Sequence, residues 1–291
     1  IEKANDHTSP MFVSGVVMSA GTTKPEAAWR WMNFLSQQTP RAIATFRQLP
    51  ARRSVLEGGG LLEQLDAEYA AAIRFALDHV LEPDLTPVGT AFTDAIEAIL
   101  KEGKPIEQAL ADAQVKAKEN IAAEAKKAAE ATPVPTVVVV APKETPVNQN
   151  ATTIKFSLGP DTFNAPAYRD LAKRFAEANP DIVVEIKPPD LTQATLDIPD
   201  VAKDVDCFMW APSLQDPKNL EAILNLEPFL DADKSFDKSD FYAATLDQFT
   251  EQGQLWALPA EVTPYVIEYN RDLFDAAKVA YPESGWTMDD F

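Results

Sequence analysis

The sequence predicts an α/β fold, a parallel or mixed sheet wrapped by helices, and three observations carry that prediction. Between residues 154 and 210, strand-like runs alternate with helical patterns in β-α-β-α-β order, which forces crossover connections and parallel pairing. The segment 12–19, FVSGVVMS, is a further β-branched run followed directly by helical periodicity. At 46% hydrophobic over 291 residues the chain has enough apolar surface to close a substantial core around such a sheet.

Each element has its own warrant. Gly21, Thr22 and Thr23 turn the chain after the first strand. Pro25 suits a first helical turn and Glu26 suits the positive helix end. Ala27, Trp31, Phe34 and Leu35 then recur at helical spacing. A second helix is expected after Pro40, and LPARRSV at 49–55 reads as an extended exit. One long helix is expected over 61–80 and another over 88–100, with Phe92, Ile96 and Ile99 on one stripe and Gly103 as its stop. Pro105 opens a last, Ala-rich helix to about residue 126.

Residues 127–150, KAAEATPVPTVVVVAPKETPVNQN, divide the chain. Prolines at 133, 135, 142 and 146 remove donors and fix φ, so the stretch reads as a semi-extended linker between segments 1–126 and 151–291. Within it, 137–140 is apolar and suits a short edge strand or a sticky stretch of linker. Beyond it, a strand at 154–158 ends at Gly159-Pro160-Asp161. An amphipathic helix at 165–178 turns Leu171, Phe175 and Ala178 inward and ends at Asn179-Pro180. Strands at 182–186 and 206–210 and a helix at 217–226 follow.

The net charge of −19 disfavours nucleic acid and anionic lipid surfaces as partners, since both demand a basic face. The acidity is concentrated after the linker: residues 151–291 carry 11 Lys/Arg against 26 Asp/Glu, residues 1–130 carry 14 against 18. A solvated acidic surface accounts for this without a ligand. The single cysteine, Cys207, sits in an apolar run and reads as a small buried hydrophobe. Cysteine scarcity also fits export to an oxidising compartment. His7 and His79 stand apart with no metal-ligand spacing, so no metal and no cofactor are expected. No stretch reaches about 18 uninterrupted apolar residues, and no signal peptide is present, although both ends of the chain read as cut.

Residues 154–187, IKFSLGPDTFNAPAYRDLAKRFAEANPDIVVEIK, resemble the opening strand, helix and strand of the bacterial extracellular solute-binding proteins, the maltose-binding-like family of ABC importers. DVDCFMWAPS at 204–213 is similar to the family's third strand and turn. QGQLWALPAEVTPYVIEYNRDLFDAAKVAYPESGWTMDDF at 252–291 resembles its most recognisable passage, in which Gly and Pro lead to a strand, Tyr-Asn-x-x-Leu-Phe and Gly-Trp-Thr-x-x-x-Phe. The first segment is similar to a later part of the family. FVSGVVMSAGTTKPEAAWRWMNFLS at 12–36 looks like the strand and helix that return to the first lobe, and GKPIEQALADA at 103–113 like the C-terminal helices. The order is therefore reversed. It fits a piece spanning two tandem modules, which the cut-looking ends and missing central segment favour, or a circularly permuted module.

The resemblance implies a periplasmic-binding-protein-like lobe of type II plus a helical segment of C-terminal type. It implies that strand 12–19 pairs into the sheet built from 154–210, across the linker. It implies no enzyme: ligand capture by closure of two lobes, the ligand a small solute, foremost a carbohydrate, passed to the membrane subunits of an ABC permease. It implies an extracytoplasmic location, in the periplasm or on the outer face of the membrane, where any lipid anchor would come from a segment outside this chain. With most of a second lobe lacking a counterpart here, binding by this chain alone is expected to be weak or absent.

Carried over residue by residue, the resemblance marks Asp161, Trp210, Ser213, Glu261, Thr263 and Tyr265 as ligand-binding. Trp210 ends a strand where a stacking aromatic is expected, against the plainer alternative of a core tryptophan. Asp161 and Ser213 follow strand ends, where both also suit turns or caps. Glu261, Thr263 and Tyr265 alternate on one strand and so share a face. Thr263 occupies the family's acidic ligand position, and the acid here lies two residues earlier, at Glu261. Tyr269 and Asn270 read as hinge structure and Trp256 and Trp286 as packing residues; no site residue is drawn from the first segment. Rival readings are a two-carboxylate glycosidase, which has no supporting motif here, a structural or sensory module that kept the fold without transport, and a binding protein for an oligopeptide, polyamine or iron ligand.

Overall fold

The computed structural model describes residues 9–38, 48–81, 91–130, 151–158, 165–187, 198–210, 217–265 and 269–282. Among them, one mixed sheet is flanked by helices, and both segments of the chain build it. Three parallel strands come from the second segment: β4 (Thr152–Ser157), β5 (Ile182–Lys187) and β6 (Cys207–Trp210). β4 is central to the three, with β5 on one side and β6 on the other. The long strand β1 (Ser9–Met18) of the first segment pairs antiparallel with β6, and β9 (Leu258–Pro264) pairs antiparallel with β1 on its far side. The sheet order is β2-β9-β1-β6-β4-β5, where β2 is Leu49–Pro50, and β3 (Val80–Leu81) pairs parallel with the start of β1. The expected pairing of the first-segment strand into the second-segment sheet is present, and β1 lies inside the sheet.

Two helices cover one face. Helix α1 (Pro25–Ser36) sets the Trp31 ring edge-on to Phe156 of β4 and to Phe175 of α6 (Ala165–Ala178), with centroids 5.6 and 5.2 Å apart. Trp29, two residues earlier, stacks instead on Phe229 of α9 (Glu227–Ala232). Buried side chains from both segments, among them Val13, Trp31, Phe156, Phe208 and Trp256, belong to one hydrophobic cluster.

Polar contacts repeat the pattern. Arg52 is 5% exposed. Its guanidinium donates to Ser36 Oγ, Asn33 Oδ1 and Asp240 at 2.9–3.2 Å and lies against the rings of Phe236 and Phe241. Burial lowers its pKa from the ordinary arginine value, and the Asp240 pairing opposes that shift. Asp206 accepts from Thr22 Oγ1 and from the Lys155 backbone N–H, and lies 3.6 Å from the Lys24 ammonium.

Several element boundaries differ from the sequence reading, each for a local reason. The extended exit at 49–55 is extended only through Arg52; α2 (Arg53–Gly58) follows, because Asp240 accepts from both the backbone N–H and the hydroxyl of Ser54 and so caps its first turn from 186 residues away. The long helix expected over 61–80 is two pieces. Leu62–Gln64 form a single 3-10 turn, Leu65 is extended, and Asp66 accepts from the Glu68 N–H to start α3 (Ala67–Asp78) afresh. The helix expected over 88–100 is α4 (Ala91–Glu102), ended by Gly103 at φ +68°, and α5 (Ile106–Glu130) runs four residues past the expected end. In α6, Phe175 is buried and Leu171 half-buried, but Ala178 is exposed. α7 (Ile198–Asp204) leads into β6. The helix expected over 217–226 stops as α8 (Pro217–Ala222), because Ile223 bridges to Ser19 and the Leu224 N–H donates to Met18 O. The helix after Pro40 and all of 131–150 lie outside the described residues.

Candidate functional site at the carboxyl edge of the sheet

Strand direction places the candidate site. β4, β5 and β6 run parallel, and β9, antiparallel to the reversed β1, runs with them. Their carboxyl ends at Ser157, Lys187, Trp210 and Pro264 therefore lie along one edge. The chain leaves β4 toward β5 on one side and returns to β6 on the other. This makes the carboxyl ends of β4 and β6 a topological switch point, the kind of position at which open α/β sheets bind ligands. Asp161 and Ser213 follow those two ends in sequence and lie outside the described residues.

The register decides which of the other predicted residues meet. Glu261 is directly opposite Ser14 and Thr263 directly opposite Phe12, so these four project from the same face of the β1–β9 ladder. Tyr265 continues the alternation just past the strand end and is exposed. Met11, Val13 and Val262 take the opposite, buried face. The hydroxyl of Tyr168, on the first turn of α6, lies 3.5 Å from Glu261 Oε1, and its ring stacks on Phe156 at 5.8 Å. Glu261 and Thr263 are half-buried.

Trp210 is placed differently. It pairs with Gly15, the neighbour of Ser14, one strand away from Glu261. β1 is regular there, because the bulge between Ser14 and Gly15 puts its extra residue, Ala260, on β9. Gly15 therefore faces away from Ser14, toward Phe249 and Ala257, and Trp210 shares that face with Phe208, whose ring it meets edge-on at 6.1 Å. The structure thus brings Glu261, Thr263 and Tyr265 together and sets Trp210 at the same edge but on the other side of the sheet, half-buried against the core.

The remaining candidates among the described residues fall into structural roles, and Trp286 lies outside the described residues. Trp256 is 4% exposed, and its indole N–H donates to Glu251 O at 3.3 Å. Asn270 caps α11 (Arg271–Ala277) through its side chain, and Tyr269 packs with Phe274 and Tyr281. Cys207 is fully buried, and burial pushes its thiol pKa well up, which leaves it protonated and inert. Among the described residues no acid, histidine or cysteine cluster suits a metal ion, and no helix is long and apolar enough to cross a membrane. A shallow groove of about 380 Å³ between α6 and β5, lined by Arg169, Lys173, Val184 and Ile186 among others, lies on the far edge of the sheet and contains none of the predicted residues.

Phe12 and Ser14 share the Glu261–Thr263 face although no first-segment residue was expected there. The alternation Phe12, Ser14 against Val13 was visible in the sequence; the partner strand that gives it meaning lies about 250 residues away. Compared with known proteins, the chain matches no family model, no curated protein and no solved structure.

Proposed function

We propose that this chain is part of an extracytoplasmic solute-binding component of an ABC importer, with a periplasmic-binding-protein-like lobe of type II. It captures a solute, foremost a carbohydrate, at the carboxyl edge of its sheet for delivery to membrane permease subunits. The observation that carries this reading is the convergence of four strand ends on one edge, at a topological switch point, beside an open face bearing Glu261, Thr263 and Tyr265. Crevices at such edges are where open α/β sheets bind ligands. The chemistry there is suited to holding a ligand. Hydroxyls and one carboxylate offer paired donors and acceptors, and a hydroxylated ligand that satisfies them is selected because an unmet buried polar group costs about 1–3 kcal/mol.

Isothermal titration calorimetry of the full chain against mono- and oligosaccharides, with product analysis of the same mixtures, tests this. Because both segments build the sheet beneath the site, binding is expected to be weak but present: saturable heat with one saccharide at millimolar concentration, weakened by Thr263→Val and by Glu261→Gln, and with the saccharide recovered intact. Absence of heat across the series, or appearance of cleaved products, overturns the reading.

A further inference from the structure

We infer that Phe12 is the apolar platform against which a sugar ring lies, with Ser14 supplying a hydroxyl contact beside it, so that the binding floor is built by both segments of the chain. This rests on the carbohydrate reading above.

The starting observation is an anomaly of burial. Phe12 belongs to β1, an interior strand, yet it is 48% exposed, while Met11 and Val13 on either side are 5% and 1% exposed. Antiparallel pairings such as those of β1 commonly leave one face to water, but that face then carries polar residues, whereas here it carries a phenylalanine. Here α1 and α6 cover that face over β4 through Trp31 and Tyr168, and their cover stops short of Phe12. β6 ends opposite Gly15, so it provides no paired neighbour at the level of Phe12.

The surroundings of this ring are polar in a specific way. Thr263 is directly opposite Phe12, and Ser14, two residues along the strand, is directly opposite Glu261. The Tyr168 hydroxyl stands 3.5 Å from the Glu261 carboxylate at one side, and Tyr265, 60% exposed, continues the patch on the other. Residues two apart on a strand are about 7 Å from one another and directly opposite residues about 5 Å, a footprint commensurate with one sugar ring. A pyranose has an apolar face of C–H bonds and a perimeter of hydroxyls. A flat hydrocarbon ring fringed by two aliphatic hydroxyls, a carboxylate and two phenols answers both features. An amine or metal cation would use the carboxylate and leave the hydroxyl fringe idle.

Saturation-transfer difference NMR on the full chain detects even millimolar binding and reads out which sugar protons touch the protein. The ligands are methyl α- and β-glucopyranoside, methyl galactopyranoside, maltose and cellobiose, with spermidine as a cationic control. Transfer concentrated on the C–H protons of one ring face is expected. Phe12→Ala is expected to weaken affinity roughly tenfold or more through loss of the ring contact, and Phe12→Tyr to retain most of it. Because Phe12 is half exposed, both variants are expected to keep the wild-type circular dichroism. Wild-type transfer with an unchanged Phe12→Ala affinity overturns the platform while leaving the carbohydrate reading intact. Transfer from spermidine alone, or from none of the ligands, overturns both.

Discussion

At the scale of single residues, the polar groups that join the two segments carry a pH dependence. Asp233 is half-buried between them: it accepts from Trp29 Nε1 and Asn33 Nδ2 of the first segment and from the hydroxyl and backbone N–H of Ser235. Burial alone pushes its carboxyl up, but the hydrogen bonds from Ser235, Trp29 and Asn33 outweigh burial and hold it below the usual aspartate value. A carboxylate depressed in the folded state stabilises the fold fully above its unfolded pKa of about 3.9, and loses that contribution as pH falls through the lower folded value. Asp233→Asn is therefore expected to lower the melting temperature at pH 6–7, with the gap from wild type closing as pH falls below about 4. Thermal melts of both proteins across pH 2.5–7 check this. A gap that stays constant over the range removes Asp233 as the source.

At the scale of elements, Gly15 is fixed by a close approach. A Cβ there would stand 2.7 Å from a Phe249 ring carbon and 3.0 Å from Ala257 Cβ, closer than packed atoms tolerate. Gly15→Ala is expected to cost about 1–3 kcal/mol through overpacking. Shortening the opposing side chain makes room, so Gly15→Ala with Phe249→Leu is expected to cost less than the sum of the two single changes. Urea denaturation of the four proteins measures this, and strict additivity overturns the steric account. The same element shows what the sequence could and could not tell. β1, α1, α6 and the three parallel strands were legible because each has a local signal: β-branched runs, Pro25 at a helix start, and a clean apolar stripe ending at Asn179-Pro180. The break of the helix expected over 61–80 and the turn of Arg53 into α2 were not legible. They depend on competing hydrogen bonds, among them the two that Ser54 donates to Asp240 far along the chain. The candidate site was half legible for the same reason. Alternation along β9 put Glu261, Thr263 and Tyr265 on one face, but only the register against β1 added Phe12 and Ser14 and moved Trp210 to the other side.

At the scale of the whole molecule, segments far apart in the chain form one core, and that makes a prediction about pieces of it. β1 stands between β6 and β9, so without it β9 loses the partner that ties it to the rest of the sheet. Removing the first segment also uncovers Phe229, which stacks on Trp29, and Phe156 and Phe175, which meet Trp31. It leaves Asp240 without Arg52 and Asp181 without the paired guanidinium of Arg30. A fragment of residues 151–291 is therefore expected to lack a cooperative melting transition. A fragment of residues 1–130 is expected to fare no better, since its sheet would consist of β1 with only the two-residue β3 beside it. The covalent connection is expected to contribute chiefly effective concentration, on the order of millimolar for a short linker, and the pairings among the described strands involve none of residues 131–150. The two fragments mixed at tens of micromolar or more are expected to associate one to one and recover dispersed NMR resonances and near-ultraviolet circular dichroism. Size-exclusion chromatography with light scattering gives the stoichiometry. If residues 151–291 alone melt cooperatively at the temperature of the full chain, the first segment is an appendage, and a binding floor shared between both segments falls with the common core. Recovery of structure only on mixing places β1 inside the folding unit, and the Phe12 face with it.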